Sequence, residues 1–130
     1  MSTQVIHTDN APAAIGPYSQ AVSVDLRAAN TVLFCSGQIG LDPVSGTLRE
    51  GFDAQVDQAI SNMQAVITAA GGSVANVVKL TLVLTDLGNF AAVNTKMEAL
   101  FAKPYPARST VGVASLPKGA LFEIEAIVVI

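Results

Sequence analysis

P-A-R-S-T-V-G-V-A-S-L-P-K-G-A-L-F-E-I-E-A-I-V-V-I, residues Pro106–Ile130, holds two β-rich runs around a turn signal at Pro117 and Gly119. The pattern predicts a hairpin. Alternation puts Arg108, Thr110 and Gly112 on one face of the first strand, with Ala107, Ser109, Val111 and Val113 on the other. On the second strand Phe122, Ile124, Ala126, Val128 and Ile130 share a face. Leu121, Glu123, Glu125, Ile127 and Val129 take the opposite one. An arginine and two glutamates inside such apolar strands have two readings. One is a structural Arg–Glu pair across neighbouring strands; the other is a buried anion site with a carboxylate beside it.

Working outward, Lys103-Pro104-Tyr105-Pro106 stops a helix expected over about Leu87–Phe101, with Asp86 as its N-cap and a stripe of Phe90, Val93, Met97, Leu100 and Phe101. Asn94 lies on or beside that stripe, as a structural bridge or as a ligand contact. Val77–Leu84 alternates as a strand, with Val78, Leu80, Leu82 and Leu84 on one face. Phe52, Val56, Ala59, Ile60, Met63, Ile67 and Ala70 recur at helical spacing until Gly71-Gly72, which predicts a first helix over Phe52–Ala70. Earlier still, Ala21–Asp25 and Thr31–Ser36 read as a hairpin through Leu26–Asn30, and Gln4–His7 as a short first strand. Ala11–Ala21 is an ordered loop, and its Tyr18 is either a packing anchor or a pocket wall. Gly37 permits a bulge or a close backbone approach to a ligand.

The predicted order of strands, helix, strand, helix and two strands gives one α+β domain over residues 1–130. Its mixed sheet of about six strands carries two helices on one face. The other face is half apolar and is expected to meet copies of the same chain.

Composition narrows the function. The formal net charge is −3, and the seven basic residues never cluster, which weighs against binding that neutralises several phosphates at once. A single His7 and a single Cys35 cannot build a conventional zinc site, so no metal is expected. The lone cysteine and the absence of a secretory or membrane-spanning pattern place the chain in the cytoplasm. His7 reads as a surface residue and Cys35 as a small buried hydrophobe.

Six motifs in order are similar to those of the reactive-intermediate deaminase (Rid, or YjgF) family, most of all its archetypal RidA branch. They are I-G-P-Y-S-Q-A (Ile15–Ala21), S-G-Q-I (Ser36–Ile39), A-A-G (Ala69–Gly71), F-A-A-V-N (Phe90–Asn94), P-A-R-S (Pro106–Ser109) and E-I-E-A (Glu123–Ala126). The resemblance implies a chorismate-mutase-like fold, a homotrimer with pockets between subunits, and no cofactor. It implies hydrolysis of 2-iminoacids and their enamine tautomers, such as 2-aminoacrylate, to 2-oxoacids and ammonia. Carried over by motif, Arg108 would grip the substrate carboxylate and Glu123 would direct water and return a proton. Tyr18, Ser36, Gly37, Gln38, Asn94 and Thr110 would line the pocket. Two other functions attach to the same family: a non-catalytic 2-oxoacid-binding or chaperone-like trimer, and an endoribonuclease or translation inhibitor. This chain departs from the family pattern around Leu26–Asn30 and Lys103–Tyr105, both expected near the pocket mouth.

Overall fold

A computed structural model describes residues 3–29 and 31–130. The strands are β1 (Thr3–Ile6), β2 (Ala21–Val24), β3 (Val32–Phe34), β4 (Gln38–Ile39), β5 (Val77–Leu84), β6 (Ala107–Gly112) and β7 (Phe122–Val129). The helices are α1 (Phe52–Ala69) and α2 (Phe90–Leu100). A five-stranded mixed sheet runs β3-β7-β5-β6, with β4 also paired to β7, while β1 and β2 form a separate two-stranded ribbon.

The core fills the space between the helices and one sheet face. Val56, Ala59, Ile60, Met63 and Ile67 of α1 and Val93 and Met97 of α2 pack on Leu80, Leu82, Leu84, Phe122, Ile124, Ala126 and Val128. These sheet residues sit at every second position, as strand geometry requires. Phe122 is fully buried and meets Phe52 edge to face at 6.2 Å. The α1 stripe ends one turn earlier than its periodicity suggests, because Ala70 is the C-cap and lies exposed. Before α2, Asp86 caps a short 3₁₀ turn over Leu87–Asn89, its carboxylate accepting from the Gly88 N–H at 2.8 Å.

Three pairing expectations are corrected. The strands of Pro106–Ile130 are not a hairpin: β5 lies between them, parallel to β6 and antiparallel to β7. The turn at Pro117–Gly119 is real, but the connection from Val113 to Leu121 is long enough to carry the chain over β5. The β5–α2–β6 crossover meanwhile claims the place beside β5. Nor do Ala21–Asp25 and Thr31–Ser36 pair with each other. β2 pairs with β1 and β3 with β7; of the connecting Leu26–Asn30, Asn30 lies outside the described residues. On β5 a register shift between Val77 and Lys79 turns Val77, not Val78, into the core. A bulge adds one residue and so exchanges the faces on either side of it.

The face assignments themselves hold. Arg108, Thr110 and Gly112 stand in register with Leu80, Leu82 and Leu84, on the helix side of the sheet. Glu123 and Glu125 stand in register with Val83 and Thr81, on the open side. That open side carries Phe34, 75% exposed, together with exposed Val32 and Val111 and half-buried Ile127.

Candidate active site, built as two separate halves

The first half gathers on Arg108. Its Nη1 donates to Asn94 Oδ1 at 2.7 Å. Its guanidinium carbon lies 5.0 Å from the Tyr18 ring centre and 5.6 Å from that of Phe90, so the cation is within cation–π range of two aromatic rings. Phe90 and Asn94 occupy positions i and i+4 of α2 and therefore present side by side. Tyr18 is brought in by a latch. The Ser19 N–H donates to Pro106 O at 3.0 Å, Ser19 Oγ donates to Tyr105 O, and Ser19 bridges to Ala107. Gly16 closes the cradle: a Cβ there would stand 3.5 Å from Arg108 Nη2.

Arg108 is half-buried and, among the described residues, forms no ion pair with a carboxylate. Burial draws its pKa below the usual guanidinium value, an effect that the nearby Tyr18 opposes. The group still carries its charge at neutral pH. A desolvated, immobilised cation without a counterion is a receptor for an anion. Two positions further along the strand, Thr110 Oγ1 is buried without a hydrogen-bond partner.

The second half is on the other side of the sheet. Ile39 of β4 stands in register with Glu123 of β7. A Cβ on Gly37 would fall 2.7 Å from Glu123 Cδ and 2.9 Å from Oε1. Only glycine lets the backbone lie against that carboxyl. The close approach expected of Gly37 is therefore to the chain's own glutamate. Ser36 is exposed beside it, whereas Gln38 registers with core-facing Ile124 and so belongs to the opposite face from Glu123.

The structure thus brings Tyr18, Asn94, Arg108 and Thr110 together, and Ser36, Gly37 and Glu123 together, but not the two groups with each other. No Arg108–Glu123 pair forms. Their strands are separated by β5, and their register partners on it, Leu80 and Val83, are three residues apart. With strands about 4.8 Å apart and a rise of about 3.3 Å per residue, the two Cα atoms stand roughly 14 Å apart, with side chains on opposite faces. Phe90 and Gly16 are the site residues that sequence patterning assigned elsewhere. Phe90 was placed in the helix stripe, yet it is 39% exposed and lies within cation–π range of Arg108. Its i, i+4 relation to Asn94 was the available signal.

A cavity of about 560 Å³ lies elsewhere, between the β1–β2 ribbon and the Leu100–Pro106 segment, and is lined by residues of neither half. Lys103–Tyr105 thus lines this cavity, and Tyr105 also anchors Ser19. No group of three or more His, Cys, Asp or Glu side chains able to hold a metal occurs among the described residues. None of the described helices is long and apolar enough to cross a membrane.

The fold is a small α+β protein with an aromatic-flanked arginine on one sheet face and a glutamate packed against a glycine on the other. Residues 8–130 match the family model described as Endoribonuclease L-PSP, and the chain belongs to that family, which includes the RidA and YjgF proteins. It is similar to a 2-iminobutanoate/2-iminopropanoate deaminase of Capra hircus, 46% identical over 127 residues and covering 97% of this chain and 89% of that one. The crystal structure of RidA from an Antarctic Psychrobacter is 50% identical with a TM-score of 0.76, covering 98% and 99% of the two chains. E. coli TdcF, crystallised with bound serine, is 40% identical with a TM-score of 0.71 over 98% of each chain.

Proposed function

We propose that this protein is a hydrolase that converts 2-iminoacids and their enamine tautomers to 2-oxoacids and ammonia, in pockets shared between two copies of the chain within a homotrimer. The observation that carries the proposal is Arg108: charged, half-buried, held by two aromatic rings and by Asn94, and unpaired with any carboxylate among the described residues. A 2-iminoacid supplies the missing carboxylate to the free part of that fork. The names of the curated relatives support the reaction, and the serine bound to TdcF supports a ligand of amino-acid size.

The reaction needs water added to the imine carbon, a proton placed on nitrogen, and ammonia expelled from the resulting carbinolamine as the C=O bond forms. Glu123 takes a proton from the attacking water and passes it to the imine nitrogen, then relays the carbinolamine hydroxyl proton to that nitrogen as the C–N bond breaks and the C=O bond forms. Such a positioned acid–base group accounts for about 10²–10⁴-fold in rate. Tyr18 and Asn94 hold the guanidinium. Thr110 Oγ1 is buried and unpartnered two residues from Arg108 on the same face of β6, which supports giving it a place in the pocket lining. Ser36 and Gly37 of the second copy line the side that Glu123 brings, whereas Gln38, in register with Ile124, faces away from it.

A second copy is required because one chain holds its cation and its carboxylate on opposite sides of the sheet. Exposed Phe34, Val32 and Val111 on the open face supply apolar area for that contact. An RNA-cleaving function, which the family description names, has less support here. Arg27 pairs with Asp25, Arg49 with Asp42 and Lys96 with Asp57, and these pairs are scattered along the chain. No basic stripe forms for a phosphate backbone.

The test generates the imine with a serine or threonine dehydratase and follows 2-oxoacid release. Wild-type protein is expected to accelerate release, and Arg108→Ala to abolish the acceleration with the assembly intact. Equal rates with and without the protein would refute the hydrolase and favour a 2-oxoacid-binding role.

A further inference from the structure

Gln55, Gln58 and Asn62 recur along one flank of α1 and face the loop that carries β4. Asn62 Nδ2 donates to Ile39 O at 3.2 Å and to Leu41 O at 2.9 Å, and Gln58 Nε2 donates to Asn62 Oδ1 at 2.8 Å. Gln55 is the buried member, only 4% exposed. Its Nε2 donates to Arg49 O at 3.0 Å, and its Oε1 accepts from the Leu121 N–H at 2.8 Å. Helix and loop touch at this point: a Cβ on Gly40 would lie 2.6 Å from Gln55 Cα and from its carbonyl oxygen.

The geometry assigns to Gln55 a role in the chemistry. Leu121 stands two residues before Glu123, and Gly40 follows Ile39, the register partner of Glu123. A single buried amide therefore ties the entry of β7 to Arg49, whose N–H donates to Gly40 O at 2.9 Å, and so to the segment that runs through β4 back to Gly37 against the Glu123 carboxyl. The neighbouring helix residues Val56, Ala59 and Ile60 are locked in the core, so the tie starts from a rigid element. We infer that Gln55 is a positioning residue for Glu123, setting where its carboxyl rests against Gly37 and hence where it can deliver water. This rests on the hydrolase reading above. The plainer alternative is a core amide that contributes only to folding.

Coupling to Glu123 separates the two. In the full-length protein, Gln55→Met keeps the volume and removes both hydrogen bonds. Misplacing a catalytic group by about 1 Å costs on the order of a hundredfold, so kcat is expected to fall by about that factor with KM little changed. On a Glu123→Gln background the same substitution is expected to change kcat by less than about twofold, because residues acting through one group are not additive. An equal loss on both backgrounds, or a rise in KM at constant kcat, would overturn the assignment. Gln55→Glu keeps an acceptor opposite the Leu121 N–H but sets a carboxylate oxygen against Arg49 O, so it breaks the tie at that end and is expected to lower kcat much as Gln55→Met does. A Glu variant with wild-type kcat at neutral pH would also overturn it, and this variant still decides if Gln55→Met folds poorly. Amide exchange at Leu121 is expected to quicken in Gln55→Met whatever the protein's activity. Unchanged exchange would refute the tie itself, whereas a wild-type protein inert towards imines would refute only the hydrolase.

Discussion

The Arg108 pocket and the Glu123 ledge are built in opposite ways. The pocket is made of side chains from three distant segments, Tyr18, Phe90 with Asn94, and Arg108, converging on one charged group. The ledge is made mostly of backbone: Gly37 has no side chain to intrude, and the loop behind it hangs from amides on α1. A cation that must be desolvated yet stay charged needs polarisable and polar neighbours around it. A carboxylate that must meet water needs open space and a fixed position instead. In the proposed function, binding falls to one half and proton transfer to the other, and each half can be broken alone.

The largest effects are expected from the two charged groups. Glu123→Gln should lower kcat about 10²–10⁴-fold with KM nearly unchanged, since it removes the proton carrier and leaves the anion clamp. Arg108→Lys should fail to restore Arg108→Ala in steady-state assays, because a point charge replaces a planar fork set beside two rings. If the lysine variant retained wild-type KM, the ring-flanked, bidentate description of the pocket would be wrong. Next comes Gly37→Ala. The new methyl would stand 2.7 Å from Glu123 Cδ, so the carboxyl or the loop must move. Overpacking of this kind costs about 1–3 kcal/mol, and a drop in kcat exceeding any drop in thermal stability would locate the damage at the ledge.

Asn94→Ala should act more mildly and on the other half. It deletes a 2.7 Å bond to the guanidinium, and hydrogen bonds to charged groups contribute about 1.5–3 kcal/mol, so KM should rise roughly tenfold or more while kcat holds. The smallest effect lies away from both halves, in the turn of Asp42. Backbone N–H groups of Ser45 and Val44 hold its carboxyl below the usual value. Its contribution is therefore complete above the ordinary carboxylate range and is lost as pH falls through the lowered value. Thermal unfolding followed against pH should show a slightly shallower acid limb in Asp42→Ala.

Much of this was legible in the sequence. Period-two alternation placed Arg108 and Glu123 on their strands, and helical periodicity located α1 and α2 to within a turn. Motifs named Tyr18, Asn94, Arg108, Thr110, Ser36, Gly37 and Glu123, but not the contacts of Phe90 and Gly16 with Arg108, and they added Gln38, which faces away from Glu123. Strand partnership was not legible. Turn chemistry at Pro117–Gly119 describes a local bend, while the partner of β6 is chosen by the α2 crossover and by burial of Leu80, Leu82 and Leu84. An Arg–Glu contact within one chain followed from the mistaken hairpin and vanished with it. Gln55 was equally hidden, because a glutamine inside a helix stripe carries no mark of what its amide will meet.

The shared-pocket claim is tested most directly by mixing two disabled proteins. Arg108→Ala keeps Glu123, and Glu123→Gln keeps Arg108. Denatured together at equal amounts and reassembled, they should regain activity, with about a quarter of the pockets in a closed ring receiving both intact groups. Mixtures as inactive as either parent, despite proven exchange of subunits, would contradict a site divided between copies of this chain.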